Sequence, residues 1–252
     1  MNTSRWALAL LMTIPAPLTA QSLAERVRSA GDGTMRLSFA AREGVCSSGP
    51  GSLTIMDRDA HDEEWESDCE RGPVRVSLRT EGGRVTASET YVGGRWRAGQ
   101  GRVTDLGTVS APQAADLLLT LAPDTGGEDG GELVTAAALA DSTVVWPRLL
   151  RLARDGGVPA EARRQAVFWL SQAASEEATR GLDAIAADTS GDMELRKHAV
   201  FALSQRPADE GVPALIRIAR ADRHPELRES ALFWLGQSDD SRALALFEEI
   251  LR

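Results

Sequence analysis

Apolar positions follow two different periods along the chain, and the period changes about halfway. Between about residues 31 and 109 apolar residues alternate with polar ones, as in Val74, Val76 and Leu78. A period of two is typical of a strand with one buried face. Gly82 and Gly83 separate this stretch from the run RVTASETYV, so the pattern predicts a hairpin. We expect TMRLSFA and SLTIM to be partner strands of a small antiparallel sheet.

A helix is predicted to follow this sheet. Ser110 and Gln113 have the spacing of a capping box in front of the apolar run AADLLLTLA. The next stretch, PDTGGEDGG, is rich in glycine and acidic residues, and we interpret it as a flexible joint. The sequence therefore predicts a β-rich domain with flanking helices over residues 21–124 and a Gly-rich linker over residues 125–131.

From residue 132 to residue 252 the pattern is helical and repeats about every 33 residues, a period typical of stacked helical repeats. QAVFWLSQ, AVFALSQ and ALFWLGQ recur, so that Phe168, Phe201 and Phe233 are spaced by 33 and then 32 residues. Leu149 and Leu182 recur in the same way. We expect about four helix pairs, the first of them degenerate, and we expect them to fold without the preceding domain.

The repeated motifs include EAR at residue 161, ELR at residues 194 and 226, and VPALI at residue 212. In these motifs residues 132–252 resemble HEAT-like repeats of the phycobilisome-lyase type. The resemblance implies a curved stack of helix pairs, an α-solenoid, and nearest-neighbour packing of repeats implies the same. The amino-terminal half resembles no family that we recognise. The predicted fold class is α+β: a small disulfide-linked antiparallel β-rich domain followed by this solenoid.

A helical wheel places Phe168, Phe201 and Phe233 on the polar outer face of the first helix in each unit, opposite the apolar core sector. Exposed apolar groups in a row mark contact surfaces. The rings are therefore candidate partner-binding residues. The alternative is that each ring leans into the groove between neighbouring units and is simply packing.

Two arginines of the second helices, Arg151 and Arg217, are further candidates for binding a partner. Arg154 and Arg220 recur beside them. The alternative is that these cations lie near helix carboxyl ends, where the helix dipole favours positive charge. In the resembled family the arginine of the EAR and ELR motifs ties one unit to the next.

The first 20 residues carry one positive charge at Arg5, an apolar run and a small-residue end, the pattern of a cleaved signal peptide. An uncleaved membrane anchor is the alternative, but the run is shorter than the roughly 20 apolar residues of a span. We expect an exported, periplasmic or extracellular protein without stable membrane insertion. Export favours a disulfide between Cys46 and Cys69, with two free thiols as the alternative.

Charge argues against nucleic-acid binding. The formal net charge is −9, and loss of Arg5 with the leader makes it −10. Binding to phosphates needs clustered Lys and Arg, so nucleic acid is not an expected partner.

The sequence contains few residues suited to catalysis. Its three histidines do not form His-Glu pairs, and no nucleophile elbow, phosphate loop or zinc spacing is present. Acidic residues 56–68 lack the glycine of an EF-hand, so a solvated loop is favoured over a calcium site. We therefore predict no catalytic residues, no metal site and no cofactor.

The predicted function is a non-catalytic scaffold or adaptor that binds a protein partner. The alternatives are an enzyme of the bilin-lyase type and a purely structural spacer. The sequence does not indicate the partner or the oligomeric state.

Overall fold

The computed structural model describes residues 22–49, 53–55, 69–98 and 101–252. The signal peptide predicted at residues 1–20 and the acidic loop at residues 56–68 lie outside these ranges.

Six strands form two sheets in the described part of the chain. They are β1 (Gly33–Phe39), β2 (Val45–Cys46), β3 (Thr54–Ile55), β4 (Val74–Glu81), β5 (Arg84–Val92) and β6 (Val103–Thr108). The main sheet has the order β5-β4-β1-β6, and β2 pairs with β3 separately. The predicted hairpin is confirmed as β4 and β5, which pair antiparallel across the two glycines.

Two features of the sheets differ from the sequence prediction. β6 runs parallel to β1, so the main sheet is mixed rather than purely antiparallel. The chain after β5 crosses the sheet before it forms β6, and such a crossover permits parallel pairing. The predicted strand SLTIM contributes only Thr54–Ile55, which pairs with β2 instead of joining the main sheet.

The helices follow the predicted order. α1 (Leu23–Ser29) precedes the sheet, and α2 (Ala111–Leu121) follows it with the predicted capping box of Ser110 and Gln113. A short 3-10 turn covers Ala122–Asp124. Then come α3 (Gly127–Ala138), α4 (Trp146–Arg154), α5 (Ala160–Ser171), α6 (Glu176–Ala187), α7 (Met193–Ser204), α8 (Ala208–Ala221), α9 (Pro225–Gly236) and α10 (Ser241–Ile250).

Helices α3 to α10 form four consecutive pairs. The first helices of the pairs pack on each other in sequence, α3 on α5, α5 on α7 and α7 on α9, and we call them the first row. The second helices, α4, α6, α8 and α10, pack on each other in the same order and form the second row. This stack confirms the predicted four helix pairs. None of the described helices has both the length and the apolar character that a membrane span requires.

The predicted Gly-rich linker at residues 125–131 is wrong, because most of it is the start of α3. Gly130 and Gly131 are buried inside this helix. A Cβ atom on Gly130 would lie 2.4 Å from the carbonyl oxygen of Thr125, and one on Gly131 would lie 2.9 Å from Cγ of Gln165. Both positions therefore need glycine for close packing rather than for flexibility.

Helix α3 joins the sheet to the repeats. Its Asp129 carboxylate accepts a hydrogen bond from the backbone N–H of Ser88 at 2.6 Å, and Glu132 accepts one from that of Thr90 at 2.9 Å. The chain after β1 is also bound to the chain after α3, where the N–H of Arg42 donates to the carbonyl of Leu139 at 2.8 Å. A boundary at residue 132 would divide this helix.

One continuous core runs from the sheet into the repeats. Its sheet side consists of the alternate residues of β1 and β4, among them Leu37, Phe39 and Val76, which are fully buried. It continues through α2 and α3 to the last pair without a break. Beside it, Cys46 and Cys69 are joined in the predicted disulfide, with Cα atoms 5.4 Å apart.

Candidate functional site

The three repeated phenylalanines lie on the first-row helices α5, α7 and α9, and their surroundings differ. Phe168 is 37% exposed and Phe233 is 58% exposed. Phe201, between them, is half-buried. The wheel therefore predicted the outer face well for two of the rings, whereas the middle ring is partly covered.

The residue that follows each phenylalanine decides whether the ring of the preceding unit is covered. In α9 this residue is Trp234, and its ring lies 4.9 Å from that of Phe201, centroid to centroid. The corresponding residue of α7 is Ala202, which is too small to cover Phe168. Phe233 belongs to the last first-row helix that the structure describes. Groove packing thus describes Phe201, and Phe168 borders a notch that Ala202 leaves open.

Trp169 occupies the same position in α5 and packs in the same direction. Its indole N–H donates a hydrogen bond to the hydroxyl of Thr135 on α3 at 3.2 Å. The guanidinium of Arg42 lies 5.1 Å from its ring centroid. Burial lowers the pKa of Arg42 from its ordinary value. Trp169 is buried, as expected for a core residue, and Trp234 is half-buried.

A cavity of about 500 Å³ lies next to Trp169, at the end of α5. Arg42, Trp146 and Gln172 line it, and Val144 on its rim is 75% exposed. The ring of Phe168 packs edge-on against that of Trp169, with centroids 5.3 Å apart. An apolar surface therefore extends from the notch at Phe168 through Trp169 to Val144. We call it the aromatic surface.

Polar contacts that repeat with the units hold the phenylalanine-bearing helices in place. The hydroxyl of Ser171 donates to the carbonyl of Phe168 at 2.6 Å, and Ser204 does the same to Phe201 at 2.7 Å. At the opposite ends of these helices, Nε of Arg196 donates to the carbonyl of Ala186 at 2.8 Å. This fits the unit-tying role that the resemblance implies for the repeated arginines, and Arg163 and Arg228 likewise bond to carbonyls at the end of the preceding second-row helix.

Sequence reasoning missed the arginine that connects the second and third units. Arg206 is buried and donates to the hydroxyl of Thr179 at 2.7 Å and to the carbonyl of Ser171 at 3.0 Å. It also pairs with Glu210 at 2.9 Å. This arginine follows the motif LSQ in only one unit, so the repeat pattern does not reveal it.

The two candidate arginines of the second row are in different situations. Arg217 on α8 forms an ion pair with Asp183 on α6, so its charge is used between neighbouring units. Arg151 on α4 is exposed and borders a small cavity of about 190 Å³ with Leu152 and Val158. The structure does not bring these two arginines together with the phenylalanines of the first row.

Comparison with known proteins supports the repeat architecture. The family model of HEAT repeats matches residues 184–252, from the end of α6 through α10. A search of curated proteins found no match to the chain. The family match does not distinguish the phycobilisome-lyase subtype, which stays a prediction. The carboxy-terminal region of this chain is a HEAT-like repeat region.

Proposed function

We propose that the protein is an exported, non-catalytic scaffold that binds a protein partner through the aromatic surface of its repeats. HEAT repeats generally mediate protein–protein interaction. The observation that carries the proposal is the notch at Phe168. Every other first-row tryptophan covers the preceding unit, and Ala202 leaves this one ring open to a side chain from outside.

The notch has the features of an interface anchor site. It places an exposed aromatic ring beside two buried small or apolar neighbours, Ala202 and Trp169. Binding energy in protein interfaces is concentrated in such central apolar pockets, which aromatic side chains commonly fill. An apolar side chain of the partner would occupy the position over Phe168 that Trp234 occupies over Phe201.

The experiment is a binding titration with matched variants. A protein captured by the wild-type chain from an extract of the source cells is purified and titrated against Phe168→Ser combined with Phe233→Ser. We expect the affinity to fall at least about tenfold, which corresponds to a loss of about 1.4 kcal/mol.

Leu244→Ser is the control. Leu244 is 62% exposed on α10, a second-row helix, so this change also removes an exposed apolar side chain but from another surface. We expect the control to bind as the wild type does. Equal affinities of all three proteins would refute a role of the aromatic surface.

A further inference from the structure

A second cavity, unrelated to the repeats, lies on the face of the main sheet that points away from the core. Its volume is about 620 Å³. Arg36 of β1, Ser77 of β4 and Glu89 of β5 lie directly opposite one another across the strands, and Arg75 lies opposite Tyr91. The segment after β5 forms the remaining wall. The cavity is therefore built on three hydrogen-bonded strands, whose positions are fixed.

Trp96 brings the two arginines of this cavity together. The guanidinium carbon of Arg36 lies 4.8 Å from the centroid of the Trp96 ring, and that of Arg75 lies 5.9 Å from it. The ring of Tyr91 packs edge-on against Trp96 at 6.1 Å. A guanidinium stacked on an aromatic ring keeps its N–H donors at its edge, where an anion can bind them.

Arg36 has a donor without an acceptor. Its Nη1 donates to the carbonyl of Arg97 at 2.9 Å, whereas its buried Nε has no hydrogen-bond partner among the described residues. A buried donor of this kind costs free energy unless something satisfies it. Arg75 uses its Nε to donate to the carbonyl of Gly93 at 2.9 Å.

The carboxylates that line the cavity bind other donors. Glu89 accepts a hydrogen bond from the hydroxyl of Tyr91 at 2.6 Å, and Glu70 accepts one from the backbone N–H of Gly94 at 2.8 Å. In the described part of the chain neither Arg36 nor Arg75 forms an ion pair. Two positive charges thus remain unpaired in a protein whose net charge is −9.

We propose that this cavity binds the carboxylate of an organic ligand, which Arg36 and Arg75 hold while Trp96 contacts the attached apolar group. Guanidinium groups bind carboxylates through paired hydrogen bonds, and Nε is one of the donors in that arrangement. Glu70 and Glu89 repel additional negative charge, so the ligand is a monoanion rather than a phosphate dianion. It is either a small carboxylic acid or the free carboxyl terminus of a peptide.

The probe that tests this site is benzoate, with benzamide as its uncharged counterpart. In the nitrogen-15-labelled protein, the indole N–H resonance of Trp96, assigned with Trp96→Phe, reports on the cavity. We expect a saturable shift with millimolar benzoate and none with benzamide. Arg36→Gln and, separately, Arg75→Gln should each weaken benzoate binding at least about tenfold, because each removes a charged donor.

Arg79→Gln is the control, because Arg79 lies on β4 outside the cavity and the variant loses the same charge. It should bind benzoate as the wild type does. The proposal is refuted by the absence of a saturable shift, by an equal response to benzamide, or by unchanged affinity in both cavity variants.

A short peptide with a free carboxyl terminus and its amidated copy identify the source of the carboxylate. If the free peptide binds more tightly than benzoate and the amidated peptide does not bind, the ligand is a peptide terminus. If only benzoate binds, the ligand is a small carboxylic acid.

Discussion

Phe168 and Phe201 occupy the same position of consecutive units, yet one ring is exposed and the other is half-buried. The difference arises 33 residues further along the chain, where Ala202 and Trp234 stand at one repeat position. A helical wheel treats each helix alone, so it predicts the face of a residue but not what the next unit places over it. The exposure of a repeated residue must therefore be read together with its neighbour in the following unit.

This difference predicts unequal effects of one substitution at two equivalent positions. Phe168→Ser should change the free energy of unfolding by about 0.5 kcal/mol, as is usual for exposed residues. Phe201→Ser should cost about 2 kcal/mol, roughly half of the loss for a fully buried phenylalanine, because Trp234 loses its packing partner. Urea unfolding of the two variants measures both values. Equal losses would mean that Phe168 is packed as Phe201 is.

A second residue-level prediction concerns two arginine–aspartate pairs that differ in burial. Arg196 and Asp222 pair at 3.0 Å with side chains 1% and 10% exposed, whereas the pair of Arg217 and Asp183 is largely exposed. Asp222→Ala leaves a buried charge unpaired and should cost about 3 kcal/mol. Asp183→Ala is the matched control and should cost less than about 1 kcal/mol.

Thermal or urea unfolding compares the two variants directly. If Asp222→Ala were as stable as Asp183→Ala, Arg196 would be accommodated without its carboxylate, and its role in tying the third unit to the second and fourth would be wrong.

At the scale of elements, regular periods were easier to predict than exceptions. Alternation of Val74, Val76 and Leu78 predicted β4, and the capping box at Ser110 predicted the start of α2. The glycines of α3 misled the prediction, because Gly130 and Gly131 allow close approach to Thr125 and α5 rather than flexibility. Nothing in the local sequence distinguishes these two uses of glycine, since the contacts come from distant residues.

The open face of the sheet was missed for a related reason. Arg75 and Ser77 were recognised only as the polar positions of a strand. Their neighbours Arg36 and Glu89 come from other strands, and Trp96 comes from the segment after β5. Strand register decides which of these residues face one another, and register is not visible in a single strand.

Tyr91 offers a test of this face, because it is the only tyrosine in the chain. The hydrogen bond to Glu89, followed by burial, raises the pKa of Tyr91 to about 12. The folded state thus holds the phenol proton more tightly than the unfolded state, whose pKa is about 10. The resulting stability is present below about pH 10 and is lost as the pH rises through about 12.

Titration of tyrosinate absorbance in the near ultraviolet measures this pKa directly. Glu89→Ala removes the acceptor and its charge and should return the pKa of Tyr91 toward about 10. A wild-type value near 10 would show that the hydrogen bond between Tyr91 and Glu89 is absent in solution.

At the scale of the whole molecule, the sheet and the repeats share one core instead of being joined by a linker. α3 is both the first helix of the stack and a helix that caps β5 through Asp129 and Glu132. A fragment that begins at residue 132 would lose the first turns of α3 and these contacts, so the repeats are not expected to fold as well without the sheet. The two binding surfaces that we propose are therefore held by one framework.

Site-resolved crosslinking tests the proposed function most directly. A photoreactive benzoyl-phenylalanine replaces Phe168 in the full chain, and in a second protein it replaces Leu244 on the second row. After illumination in an extract of the source cells, we expect position 168 to give a crosslink to a distinct protein and position 244 to give none. Crosslinks of equal yield from both positions, or from position 244 alone, would contradict the claim that the aromatic surface is where the partner binds.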